Sequence, residues 1–142
     1  MTSHTVIDKD TIKAYHETHY RIEGDVRMTL LVGTRNASLA ALHEVTKVES
    51  SAFVTGCNPF SKPFDPAANA QRQEALAQEL TELRVKVIDG IGQHPSGEWP
   101  GEPSFLVLGL SLDAAKELGA RYEQNAIIWA GPDAVPQLVL LR

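Results

Sequence analysis

SSAFVTGCNPFSKPFDPAANAQRQEALAQELTEL, residues 50–83, reads as a buried strand, a rigid turn and the strongest helix in the chain. Ala52, Phe53 and Val54 form a nearly continuous apolar run, which predicts a strand over 50–56 covered on both faces. Residues 58–66, NPFSKPFDP, contain three prolines and cannot form regular structure, because each proline fixes φ and lacks a backbone donor. Asp65 followed by Pro66 is a helix start, since the carboxylate caps free N–H groups and proline suits the first helical position. The helix runs to about Leu83, with Leu76, Leu80 and Leu83 spaced as a core face. Projected back by one and two turns, that face lands on Arg72 and Asn69. The turn thus gathers Cys57, Asn58, Ser61, Asn69 and Arg72 near one point, beside a helix N-terminus that favours anions. Arg72 adds a fork of donors suited to a carboxylate or phosphate. The alternative is internal: Arg72 pairs with an acid of the chain, such as Glu102, and locks the loop.

Downstream, residues 84–91 predict a strand with Val85 and Val87 on one face. A turn-rich hairpin follows over 92–101, then an almost wholly apolar strand over 105–110. Ser111 or Asp113 starts a helix to about Tyr122, with Ala115, Leu118 and Tyr122 inward. Residues 126–130 form a strand, and 137–141 pair back as a hairpin. From residue 50 this is the order of a ferredoxin-like βαββαβ sandwich over residues ~50–130, in the α+β class. Upstream, Asp8 caps a short helix that buries Ile12 and Tyr15. Residues 20–22 are extended and 26–32 form a strand. Asn36 caps a helix to about Lys47 whose stripe is Leu39, Leu42 and Val45, with His43 beside it as a packed edge residue. This N-terminal helix–strand–helix extension and the C-terminal hairpin strand complete a single domain, 1–142. A three-layer α/β sandwich is the alternative.

Composition narrows the function classes. Hydrophobic residues are 43% and charged residues 22%, which argues against disorder. The net charge of −5 and the scattered basic residues give no reason to expect nucleic acid or an anionic membrane as partner. No apolar run approaches the ~20 residues that span a bilayer. MTSHTVIDKD has neither an apolar h-region nor a basic start, so no secretory signal is expected, and a reduced, cytoplasmic setting is the simplest reading. The single Cys57 excludes an internal disulfide and CxxC zinc sites. No local pattern lowers its pKa, so it reads as a small buried hydrophobe. His16 and His19, three apart, would share a helical face, but no third ligand is near, and neither metal nor other cofactor is expected. A homo-oligomer is compatible with the sequence but not indicated by it.

Four motifs in order carry a family resemblance: NPFS at 58–61, NAQRQEAL at 69–76, GEWPGEPSFLVLG at 97–109 and LGARYEQNAI at 118–127. The chain resembles, from Tyr15 onward, the bacterial family catalogued as domain of unknown function 3293. The resemblance implies a bacterial origin and a single-domain protein, and it brings no activity with it. Members often carry Trp where this chain has Cys57. The motifs coincide with polar positions near predicted strand and helix ends: Asn58, Ser61, Asn69 and Arg72, then Glu102, Ser104, Gln124 and Asn125.

Three functions remain open. The first is a small-molecule-binding domain in which Asn58, Ser61, Asn69, Arg72, Ser104, Gln124 and Asn125 hold an anionic ligand. The second is an enzyme with Glu102 as general acid or base and Arg72 as electrostatic stabiliser. His94 is a weaker catalytic candidate, expected to be solvated, and Ser104 has no paired His for a hydrolase triad. The third is an interaction module docking a partner through Trp99 and the 92–101 loop. The loop is no phosphate cradle, because the GxxxxGK[ST] order is missing.

Overall fold

Short polar side chains start the helices of the computed structural model, which describes residues 5–25 and 27–142. Asp8 accepts from Asp10 N to start α1 (Lys9–Glu17), and Asn36 accepts from Leu39 N to start α2 (Ala37–Thr46). Asp65, with Pro66 at the first position, starts α3 (Pro66–Glu82). Ser111 accepts from Ala114 N to start α4 (Leu112–Arg121).

Between the helices run seven strands: β1 (His19–Ile22), β2 (Met28–Leu30), β3 (Ser51–Val54), β4 (Lys86–Gln93), β5 (Glu102–Leu108), β6 (Ala126–Ala130) and β7 (Gln137–Leu140). They form one mixed α/β architecture around a single sheet of order β2-β1-β4-β5-β3-β6-β7, and every pairing is antiparallel. The N-terminal strands extend the sheet beyond β4, and β7 pairs back on β6. The strand expected over 26–32 shortens to Met28–Leu30, with Val26 outside the described residues. Among the described residues no helix is long and apolar enough to cross a membrane.

Period-2 alternation splits the core between the two faces. On one face Ala52, Val54, Val107 and Ile127 meet Leu76 and Leu80 of α3 and Ala115 and Leu118 of α4. On the other, Tyr20, Phe53, Leu106, Leu108 and Ile128 lie with Leu39 of α2. Helices therefore cover both faces, as in the three-layer alternative, while the sheet is wholly antiparallel.

Several expected core positions differ. Leu83 is 51% exposed because it is the C-cap, where the chain leaves the helix. Val45 is 79% exposed, and His43 takes its place in the core, its Nε2 2.8 Å from Ser51 Oγ. A polar residue with a partner fills the i+4 position that apolar spacing alone assigns elsewhere. Ile12 and Tyr15 stay partly exposed, and α1 buries none of its residues fully. α1 ends at Glu17 and His19 belongs to β1, so His16 and His19 share no helical face.

Candidate functional site

Where β3 ends, the chain enters a turn that holds three non-glycine residues at positive φ: Asn58 at 49°, Phe60 at 55° and Ser61 at 59°. Such conformations persist only where the surroundings over-determine them, and they concentrate at functional sites. Here the surroundings are an amide network. Asn69 Oδ1 accepts from Asn58 N at 2.8 Å, and Asn69 Nδ2 donates to Asn58 Oδ1 at 2.8 Å. Asn58 Nδ2 in turn donates to Glu102 Oε2 at 2.9 Å. One turn along α3, Gln73 Oε1 accepts from Gly56 N at 2.8 Å. Asn125 Nδ2 donates to Phe60 O and to Tyr15 OH, both at 3.1 Å, and Tyr15 OH also meets Ser61 Oγ. Gln124 Nε2 closes the network on Cys57 O at 3.0 Å.

Most of these groups line a cavity of about 1050 Å³ at one end of the sheet, between the Tyr20–Phe53 face, α1, residues 69–77 of α3, the 58–64 turn and the 94–101 loop. Of the polar residues singled out in the sequence, Asn58, Ser61, Asn69, Ser104, Gln124 and Asn125 line it, as do Glu102 and His94. Arg72 does not. Its Nε donates to Gly56 O at 2.7 Å, its Nη2 to Tyr122 O, and its Nη1 pairs with Glu123 Oε1 at 3.2 Å. Arg72 thus clamps the end of β3 to the turn before β6. Arg72 thus pairs with an acid of the chain, as in the internal alternative, but that acid is Glu123 and not Glu102. Among the described residues no Lys or Arg lines the cavity, and the N-terminus of α3 is capped by the chain's own Asp65 carboxylate, which accepts from Ala68 N at 3.0 Å.

Glu102 stands in the opposite condition. Asn58 is its one hydrogen-bond donor among the described residues, and Oε1 accepts nothing there. Burial pushes its carboxyl above the ordinary 4.5, and the bond from Asn58 opposes that rise. Cys57 is buried, and burial likewise pushes its thiol up, which makes it a poor nucleophile. Ser104 Oγ donates to Glu102 O at 2.9 Å and has no histidine partner. His94 is not solvated as expected. Nδ1 meets Ser96 Oγ at 2.8 Å and Nε2 meets Glu17 Oε1 at 3.1 Å, with Trp99 edge-on at 4.6 Å. Trp99 is 50% exposed at the cavity rim.

Sequence reasoning did not single out Tyr20, Phe53, Gln73 or Gly92. Gln73 was accessible to it, four residues after Asn69 on the same helical face. So was the GIG alternation at 90–92, since glycine inside a strand marks a close approach. A Cβ on Gly90 would lie 2.7 Å from Arg21 O and from the Phe53 ring, whereas one on Gly92 would meet nothing nearer than 3.8 Å. Gly90 admits the Phe53 ring, and Gly92 leaves the cavity floor bare.

The model of the family described as protein of unknown function, DUF3293, matches residues 54–127. That span runs from the last residue of β3 to the second of β6 and contains the amide network, Glu102 and the 94–101 loop. No curated protein and no solved structure matches the chain. With just over half of its residues matched, including most of the cavity wall, the chain belongs to the DUF3293 family.

Proposed function

We propose that this chain is a small-molecule-binding domain whose guest is uncharged or cationic rather than anionic. One observation carries the reading: the polar residues singled out by the sequence, Arg72 apart, line a single cavity of about 1050 Å³. That volume is in the upper range of small-ligand sites, and an apolar wall with a few convergent polar groups is the usual make-up of one. Two strained backbone positions in its wall, Asn58 and Ser61, support the same reading. In this reading β3–α3–β4–β5–α4–β6 is a ferredoxin-like core, supported by the strand order β4-β5-β3-β6, and the guest sits on the face that α3 and α4 leave open. Trp99 belongs to the cavity rim, and the interaction-module alternative has no further support.

A guest that binds only the folded state raises the melting temperature with its concentration. A thermal-shift screen of neutral and cationic metabolites on wild type and Gly92→Ile tests the reading. Isoleucine at 92 occupies the bare floor without left-handed strain, and circular dichroism checks the fold. Shifts present in wild type and lost in Gly92→Ile support the site. Shifts that survive the substitution, or none at all, contradict it.

Glu102 favours a second reading, an enzyme. A carboxyl raised by burial in a cavity is better suited to proton transfer than a free one. Turnover of a metabolite mixture by wild type and not by Glu102→Gln, followed by NMR, would support it; no turnover would leave binding alone.

A further inference from the structure

Glu102 is an acid with no cation. The ion pairs among the described residues are Arg72–Glu123, His94–Glu17 and Arg121–Glu79, and none involves it. Among the described residues the cavity wall contains Asp10, Glu74 and Glu102 but no Lys or Arg, and its one histidine is engaged through both ring nitrogens. A half-buried carboxylate with one hydrogen-bond donor, in a largely apolar cavity, attracts a cation more strongly than one in bulk water.

Strand register shows where that cation would lie. Tyr20 of β1 pairs with Gly92 of β4, and Gly92 pairs with Glu102 of β5. Residues paired across strands share a face, so Tyr20 and Glu102 flank a position with no side chain. Two strand spacings separate them, about 10 Å between backbones. The nearest groups to a Cβ at 92 are the Phe53 ring and Tyr20 ring, each at 3.8 Å, and Thr18 at 3.9 Å. The gap over Gly92 has Glu102 on one side and the Tyr20 ring on the other, with the Phe53 ring reaching it from beyond β5. That pairing suits a desolvated organic cation, which gains from both Coulomb attraction and the ring faces.

We propose that the guest is an organic cation, a protonated amine, amidine or guanidinium on a small apolar body, held by Glu102 over Gly92. The proposal rests on the small-molecule reading above. It is tested by thermal shift and calorimetry with benzamidine, tryptamine and agmatine, against benzamide and benzoate as uncharged and anionic mates. The expected result is a dose-dependent rise with at least one cation and none with benzoate. Affinity should fall about tenfold or more in Glu102→Gln, which keeps the shape and removes the charge. It should also fall as the pH is lowered and the carboxyl is protonated. The net charge of −5 could draw cations to the surface, and the Glu102→Gln arm separates the two cases. Equal binding of cations by wild type and Glu102→Gln overturns the proposal. Response to benzamide or benzoate but to no cation overturns it while the cavity reading stands. Response to no probe, together with an empty metabolite screen, overturns both.

Discussion

On one face of the sheet, Leu76 and Leu80 of α3 and Ala115 and Leu118 of α4 are sealed against Ala52, Val54 and Val107. On the other face, beyond the reach of α2, α1 buries none of its residues; Tyr20 OH donates to Tyr15 O of α1, and the cavity lies between α1, Phe53 and Glu102. The strands contribute to both faces by the same alternation, so the difference lies in what alternates. Leucines at i, i+4 fill their face to the density of an organic crystal. Amides, a carboxylate and two glycines cannot, because each polar atom needs a partner and each glycine leaves a hole. The chain closes one face and keeps part of the other open.

The largest effect belongs to the sealed face. Leu80 is 0% exposed, and Leu80→Ala should cost about 2–5 kcal/mol in urea unfolding; a loss well under 1 kcal/mol would mean that α3 is not sealed. Two charged residues show the same contrast, since Arg72 spends all three guanidinium nitrogens on internal partners while Glu102 has a single donor. Arg72→Ala strips Gly56 O of its donor and should cost about 1–3 kcal/mol, while thermal shifts produced by any bound guest persist. Loss of guest binding at unchanged stability would return Arg72 to the site.

A finer probe uses two glycines two residues apart on β4. Gly90→Ala forces a Cβ to 2.7 Å from Arg21 O and should cost about 1–3 kcal/mol. Gly92→Ala adds a methyl to open space and should be neutral or gain up to about 1 kcal/mol by limiting the unfolded chain. Equal effects at the two positions would deny the cavity floor.

At Glu102 the expected effect is also a gain. Burial raises the Glu102 carboxyl, so the folded chain holds that proton to a higher pH than the unfolded chain does. The associated stability is present at low pH and is lost as pH rises through the raised value. Glu102→Gln should therefore be more stable than wild type by about 0.5–2 kcal/mol at pH 8, as removing a functional burden commonly does. The gain should shrink towards nothing at about pH 3, well below the ordinary 4.5, where glutamate is protonated in both states. Denaturation curves at pH 8 and at about pH 3 check it, and a constant difference would refute the cause.

Much of this was legible in the sequence. Asp8, Asn36, Asp65–Pro66 and Ser111 announce the helices because capping is local chemistry. Leu76 and Leu80 announce a core face because periodicity is local too. What stayed hidden depends on partners far along the chain. Glu123 and Tyr122 O, which claim Arg72, lie some fifty residues away, and no spacing rule connects them. His43 enters the core with its Nε2 met by Ser51 Oγ, which arrives from β3. The gap over Gly92 exists only once β1 has paired with β4 and set Tyr20 opposite the glycine. The motifs bring Asn58, Asn69 and Glu102 together along one cavity wall, while Arg72, expected beside them, turns to Gly56, Tyr122 and Glu123 instead.

The most direct measurement is an NMR titration of the Glu102 side-chain carboxyl, apo and with benzamidine. The account predicts that the apo carboxyl titrates above 4.5 and that its pKa falls when the cation binds, because a neighbouring positive charge favours the ionised form. A carboxyl that titrates at or below 4.5 in the apo chain and does not respond to benzamidine would contradict it.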